Sequence, residues 1–125
     1  MADPGRADPG RADPDRADLD RADLEQLAVE HAAKAAESPH GRSARLVLHD
    51  GLLRQTVIAL TGGTSLDEHT PPTAGSVQVL RGRVALTVAG RRQELSAGEL
   101  APVPQERHGL LAHVDSVVLL TVVTA

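Results

Sequence analysis

Hydrophobic and polar positions alternate along this chain with two different periods. From Leu24 to Ala35 the apolar side chains recur at helical spacing, with Leu24, Leu27, Ala28, His31 and Ala35 on one stripe. Asp23 followed by Gln26 suits a capping box, and Glu30 with Lys34 is ordered for an i,i+4 ion pair. Ser38-Pro39-His40-Gly41 stops the pattern, so one helix is predicted over residues 23–38. On that stripe His31 reads as a half-buried packing residue. From Arg42 the period shortens. Nine β-rich runs follow, "ARLVLH", "LRQTVIAL", "TSLDEH", "SVQVL", "RVALTV", "RQEL", "LAPVP", "HGLLAH" and "SVVLLTVV", divided by Gly and Pro. Ala89-Gly90 fits a tight hairpin turn, and Ser96 to Glu99 another. Short strands in this number predict a β-sandwich or barrel over residues 42–125.

The first 22 residues obey neither period. They repeat every five residues, "ADPGR ADPGR ADPDR ADLDR", and resemble the pattern of pentapeptide-repeat proteins. Pro4, Pro9 and Pro14 stand where that pattern has an apolar residue, and so few repeats cannot stack into a core. The expectation is a disordered acidic arm formed by tandem expansion.

Composition narrows the chemistry. The 125 residues include no Phe, Trp, Tyr or Cys, so the core must be aliphatic and the chain has neither disulfides nor thiolate metal ligands. Without aromatic side chains there is no stacking platform for single-stranded nucleic acid. The net charge of -4 arises in the N-terminal segment, which leaves no basic field for nucleic acid in the remainder. No apolar run reaches membrane-spanning length, and the acidic N-terminus is unlike a secretory signal, so a cytoplasmic protein is expected.

"VLRGRVALTVAGRRQELSAGELAPVPQERHGLLA" gives the strands a further context. It resembles the core of a small RmlC-like cupin, a double-stranded β-helix of the jelly-roll kind. The resemblance covers residues 44–123. Cupins carry the motifs G(x)5HxH(x)3,4E(x)6G and G(x)5PxG(x)2H(x)3N. Gly82 matches the glycine closing the first, and His69 its second histidine. Gly98, Pro104 and His108 match positions of the second. Four positions depart. Asp67 replaces the first histidine, Gly75 stands at the glutamate, Glu106 lies near the missing glycine, and the chain has no Asn.

Together the periodicity and the resemblance imply a mainly β fold, a cupin jelly roll preceded by one α-helix and a disordered arm. The resemblance implies a small-ligand pocket with one divalent metal, Fe, Mn, Ni or Zn, or with none. On strand alternation Asp67 shares the face of His69, so a metal would take His69, His108 and Asp67. Glu68 enters the pocket only if a bulge shifts the register, and Gln78 faces either the pocket or the outer surface. His113, Arg81 and Arg83 are assigned to the surface. The alternatives are a metal-dependent dioxygenase or isomerase of this fold, and a regulatory or protein-interaction module. The partners implied are a small molecule and a second copy, paired across an outer sheet face as a homodimer, with no nucleic acid and no membrane.

Overall fold

The computed structural model describes residues 21–124. The expected arm therefore lies, but for Arg21 and Ala22, outside the described residues. Helix α1 (Leu24–Glu37) is followed by nine strands: β1 (Arg42–Asp50), β2 (Leu53–Leu60), β3 (Ser65–His69), β4 (Ala74–Arg81), β5 (Arg83–Val88), β6 (Arg91–Ser96), β7 (Leu100–Pro102), β8 (His108–Ala112) and β9 (Ser116–Val123). All nine predicted runs are strands. They form two antiparallel sheets, one in the order β1-β2-β9-β4-β7 and the other β3-β8-β5-β6. None of the described helices is long and apolar enough to cross a membrane.

Four chain crossings close one end of the barrel. The chain passes between sheets at residues 61–64, at Gly82, at residues 97–99 and at residues 113–115. These turns are tied together. Gly63 N–H donates to the Ala112 carbonyl at 2.7 Å, and His113 N–H to the Arg83 carbonyl at 3.0 Å. Gly62 N–H donates to the Asp115 carboxylate at 2.8 Å, and Arg83 N–H to the Ser116 hydroxyl at 3.1 Å. Gly82 has φ +86°, a backbone state that glycine adopts without strain.

The opposite end, spanned by the connections at residues 70–73 and 103–107, is the more open one, and burial falls toward it. On the inner face of β2, Leu60 is buried, Ile58 and Thr56 are half-buried and Arg54 is exposed. On β9 Val118 is buried while Leu120 and Val122 are half-buried. The aliphatic filling (Leu60, Val77, Val79, Val84, Leu86, Leu95, Leu110 and Val118 among it) is one buried cluster. Ile58, Leu66 and Leu120 pack above it, only partly buried.

Helix α1 covers the outer face of the five-stranded sheet. Asp23 caps it, accepting a bond from Gln26 N–H at 3.1 Å, and Glu30 pairs with Lys34 at 3.1 Å. Its stripe packs as the spacing predicts, with Leu27, Ala28 and Ala35 against Val57, Ala59, Val117 and Leu119. The Leu27→Ala change should cost about 2 kcal/mol, read from a denaturant midpoint. Arg81, assigned to the surface, pairs there with Glu25 and ties the helix to β4.

His31 is 4% exposed beneath this helix. Its Nδ1 meets the Ser43 hydroxyl at 2.7 Å, while its buried Nε2 has no partner. Burial pushes its pKa below the ordinary histidine value. Nearby Lys34 and Arg45 push the same way, against Glu30. The unfolded chain therefore takes up a proton here before the folded one does. The stability contribution is complete above about pH 6.5 and falls as the pH drops toward the lowered native value. The urea midpoint should decline between about pH 7 and pH 5.5, and His31→Leu should flatten that decline.

Candidate functional site

The candidate polar residues gather near the open end of the barrel. β3 pairs with β8 so that Leu66 opposes Leu110 and His69 opposes His108. Three steps on β3 thus match two on β8. Asp67 and Glu68 together oppose the single Gly109, which is a β-bulge. Leu110 and His108 share the inner face of β8, so Leu66 and His69 share the inner face of β3. The alternation that set Asp67 beside His69 does not survive this bulge. Asp67 and Glu68 are both exposed and border a surface depression with Ser65 and Thr87. Gly109 permits this arch, because a Cβ there would lie 2.6 Å from the Leu66 carbonyl and 3.4 Å from Glu68 N.

The bulge brings the two expected histidines together. Their ring centroids are 4.6 Å apart and the planes meet at 61°, edge to face. His108 is 4% exposed and His69 lies open to solvent. Each ring is fixed in the same manner. His69 Nδ1 meets the Asp67 carbonyl at 3.1 Å and His108 Nδ1 meets the Glu106 carbonyl at 2.8 Å. A carbonyl only accepts, so each Nδ1 donates, and in the neutral ring Nε2 keeps its lone pair. Neither Nε2 has a protein partner among the described residues.

These residues fall short of a complete metal site. Facial sites use three protein donors. Among the described residues no three His, Cys, Asp or Glu side chains lie close enough to hold an ion. Position 75, where the motif has a glutamate, has no room for one. A Cβ on Gly75 would lie 2.7 Å from the Thr121 carbonyl and 3.2 Å from a Val103 methyl. The pair thus offers two imidazole nitrogens and no carboxylate.

Gln78 lies between Val77 and Val79, which both face the barrel interior. It therefore takes the outer face, opposite Leu119 beside the helix, and does not enter the pocket. His113 is held by Glu94 at 2.7 Å, away from the pair. The sequence reading overlooked Arg54. Its signal is the alternation Arg54, Thr56, Ile58, Leu60 within "LRQTVIAL", which sets a cation on the same face as three barrel-lining residues.

No family model matches the chain, and no curated protein does. Solved structures do. An RmlC-like cupin from Shewanella frigidimarina is 21% identical, with a TM-score of 0.61 over 69% of this chain and 78% of that one. KdgF from Halomonas sp. is 22% identical, with a TM-score of 0.60 over 70% and 83%. A point mutant of the salicylate 1,2-dioxygenase from Pseudoaminobacter salicylatoxidans is 18% identical, with a TM-score of 0.65 over 82% of this chain and 34% of that one. With two antiparallel sheets and these likenesses, the chain is a small protein of the RmlC-like cupin fold.

Proposed function

We propose that this chain binds a small, partly apolar molecule in the open end of its barrel, with the His69–His108 pair as its polar anchor. One observation carries the reading. Two imidazoles meet across β3 and β8 with both Nδ1 atoms engaged and both Nε2 atoms unengaged by the described protein. Beneath them the half-buried Ile58, Leu66 and Leu120 present an aliphatic wall. A few polar groups converging over an apolar wall are the usual form of a small-molecule site. A divalent cation, Fe, Mn, Ni or Zn, would find only two nitrogen donors here, and any further donors would come from the ligand. The metal-dependent dioxygenase or isomerase reading draws on the fold resemblance, and its dioxygenase part also on the salicylate dioxygenase likeness. It lacks the third donor, so binding is the better-supported function.

The test is a fragment screen by ligand-observed NMR, suited to a chain without fluorescent side chains. Binders should lose their signal in His69→Ala and in His108→Ala, and keep it in His113→Ala. Binders indifferent to both pair variants, or none at all, would overturn the reading.

We also propose that the binding unit is a homodimer. Helix α1 occupies the outer face of the five-stranded sheet, which leaves the outer face of the four-stranded sheet for the pairing that the resemblance implies. Edge strand β1 offers a second surface, with Leu46 and Leu48 46% and 42% exposed. Light scattering should give twice the 13.1 kDa chain mass. A single-chain mass at about 100 µM, far above the dissociation constants of specific dimers, would remove the pairing.

A further inference from the structure

The strand register sets a second cationic group at the rim of this pocket. Arg54 opposes Val122 on β9, and Val122 opposes Gly75 on β4. These three form the layer of the five-stranded sheet nearest the open end. In the other sheet His69, His108 and Val88 form the corresponding layer. Arg54 therefore stands on the inner face of one wall at the height of the histidine pair on the other. It makes no ion pair with any described residue. His49, its cross-strand partner on β1, adds a further imidazole on the same face. Arg91, opposite Val88 at this level, is already joined to Glu106 at 3.4 Å. The acidic side chains nearby, Asp67 and Glu68, belong to the bulge rather than to the inner layer. One layer down the lining is Thr56, Leu120, Val77, Leu66, Leu110 and Leu86.

From this arrangement we infer that the ligand is a small apolar carboxylate, with its acid group between Arg54 and the His69–His108 pair and its tail against Ile58, Leu66 and Leu120. The inference rests on the pocket reading above and adds the ligand's chemical class. A guanidinium supplies the fixed, forked donors that suit a carboxylate. The two unengaged Nε2 atoms across the pocket are the polar groups that face it. A neutral molecule of the same shape would leave Arg54 without a partner. An ammonium compound would meet Arg54 as a like charge.

The experiment compares matched probes by NMR titration of the full chain, benzoate against benzyl alcohol and hexanoate against hexan-1-ol. Each carboxylate should bind at least about tenfold more tightly than its alcohol, the scale of one charge-assisted hydrogen bond. Arg54→Ala should remove that tenfold preference, while Arg54→Lys keeps part of it. Arg45→Ala, on the outer face of β1, should change neither. Equal binding of acids and alcohols would overturn the carboxylate assignment and leave the pocket standing. So would a preference that survives Arg54→Ala. Failure of all four probes to bind would overturn the assignment and the pocket together.

Discussion

Gly82→Ala should lower stability by roughly 3–5 kcal/mol and leave little folded protein at physiological temperature. Two independent costs act at this residue. Its φ of +86° is strained for any residue with a Cβ. The added methyl would also lie 2.5 Å from the Asp115 carbonyl and 2.8 Å from Ser116 Cα, both backbone atoms that cannot swing aside. The damage would fall on the closed end, where Arg83 N–H donates to Ser116 and the Ser116 hydroxyl reaches the Val114 carbonyl at 2.7 Å. Denaturant unfolding measures the loss. A cost under about 1 kcal/mol would mean that the crossing between β4 and β5 adapts freely, against this account of the closed end.

Gly109→Ala should weaken both the fold and the site. The methyl would press on the Leu66 carbonyl at 2.6 Å and on the Thr87 hydroxyl at 3.0 Å. Overpacking of this kind costs roughly 2–3 kcal/mol, and β3, an edge strand bound only to β8, is the element free to move. Its displacement carries His69 away from His108. Binding at the pair should therefore drop by more than about tenfold, well beyond what Leu27→Ala does despite a comparable loss of stability. That contrast separates local damage at the site from general loosening. Equal effects of the two changes on binding would place the pocket elsewhere.

The fold is legible in the sequence because its signals are local. The stripe Leu24, Leu27, Ala28, His31, Ala35 and the period-two runs each state which face is buried. Glycine and proline mark the ends of the strands. Ala89-Gly90 forms the two-residue turn expected between β5 and β6, with φ of 48° and 79°. The site is legible only in part. Motif spacing singles out His69 and His108, and the cross-strand register brings them together. Asp67 is misplaced by alternation because alternation assumes an unbroken ladder. The bulge depends on Gly109, a residue far along the chain whose bare Cα admits the extra residue of β3. Gln78 stays undecided in the sequence because "SVQVL" has apolar residues on both faces, one set lining the barrel and the other under the helix. Arg54 escapes notice because a single cation in a strand carries no signal until the open end is located, and that requires the four crossings of the closed end.

The direct test of the histidine pair is a long-range 1H–15N correlation spectrum of the imidazole rings in the full chain at about pH 7.5, above the ordinary histidine range. For His69 and His108 the account predicts a proton on Nδ1 and an unprotonated Nε2. On addition of benzoate both Nε2 resonances should shift, and that of His113 should not. Protons on Nε2 in the free protein, or a benzoate response confined to His113, would contradict it.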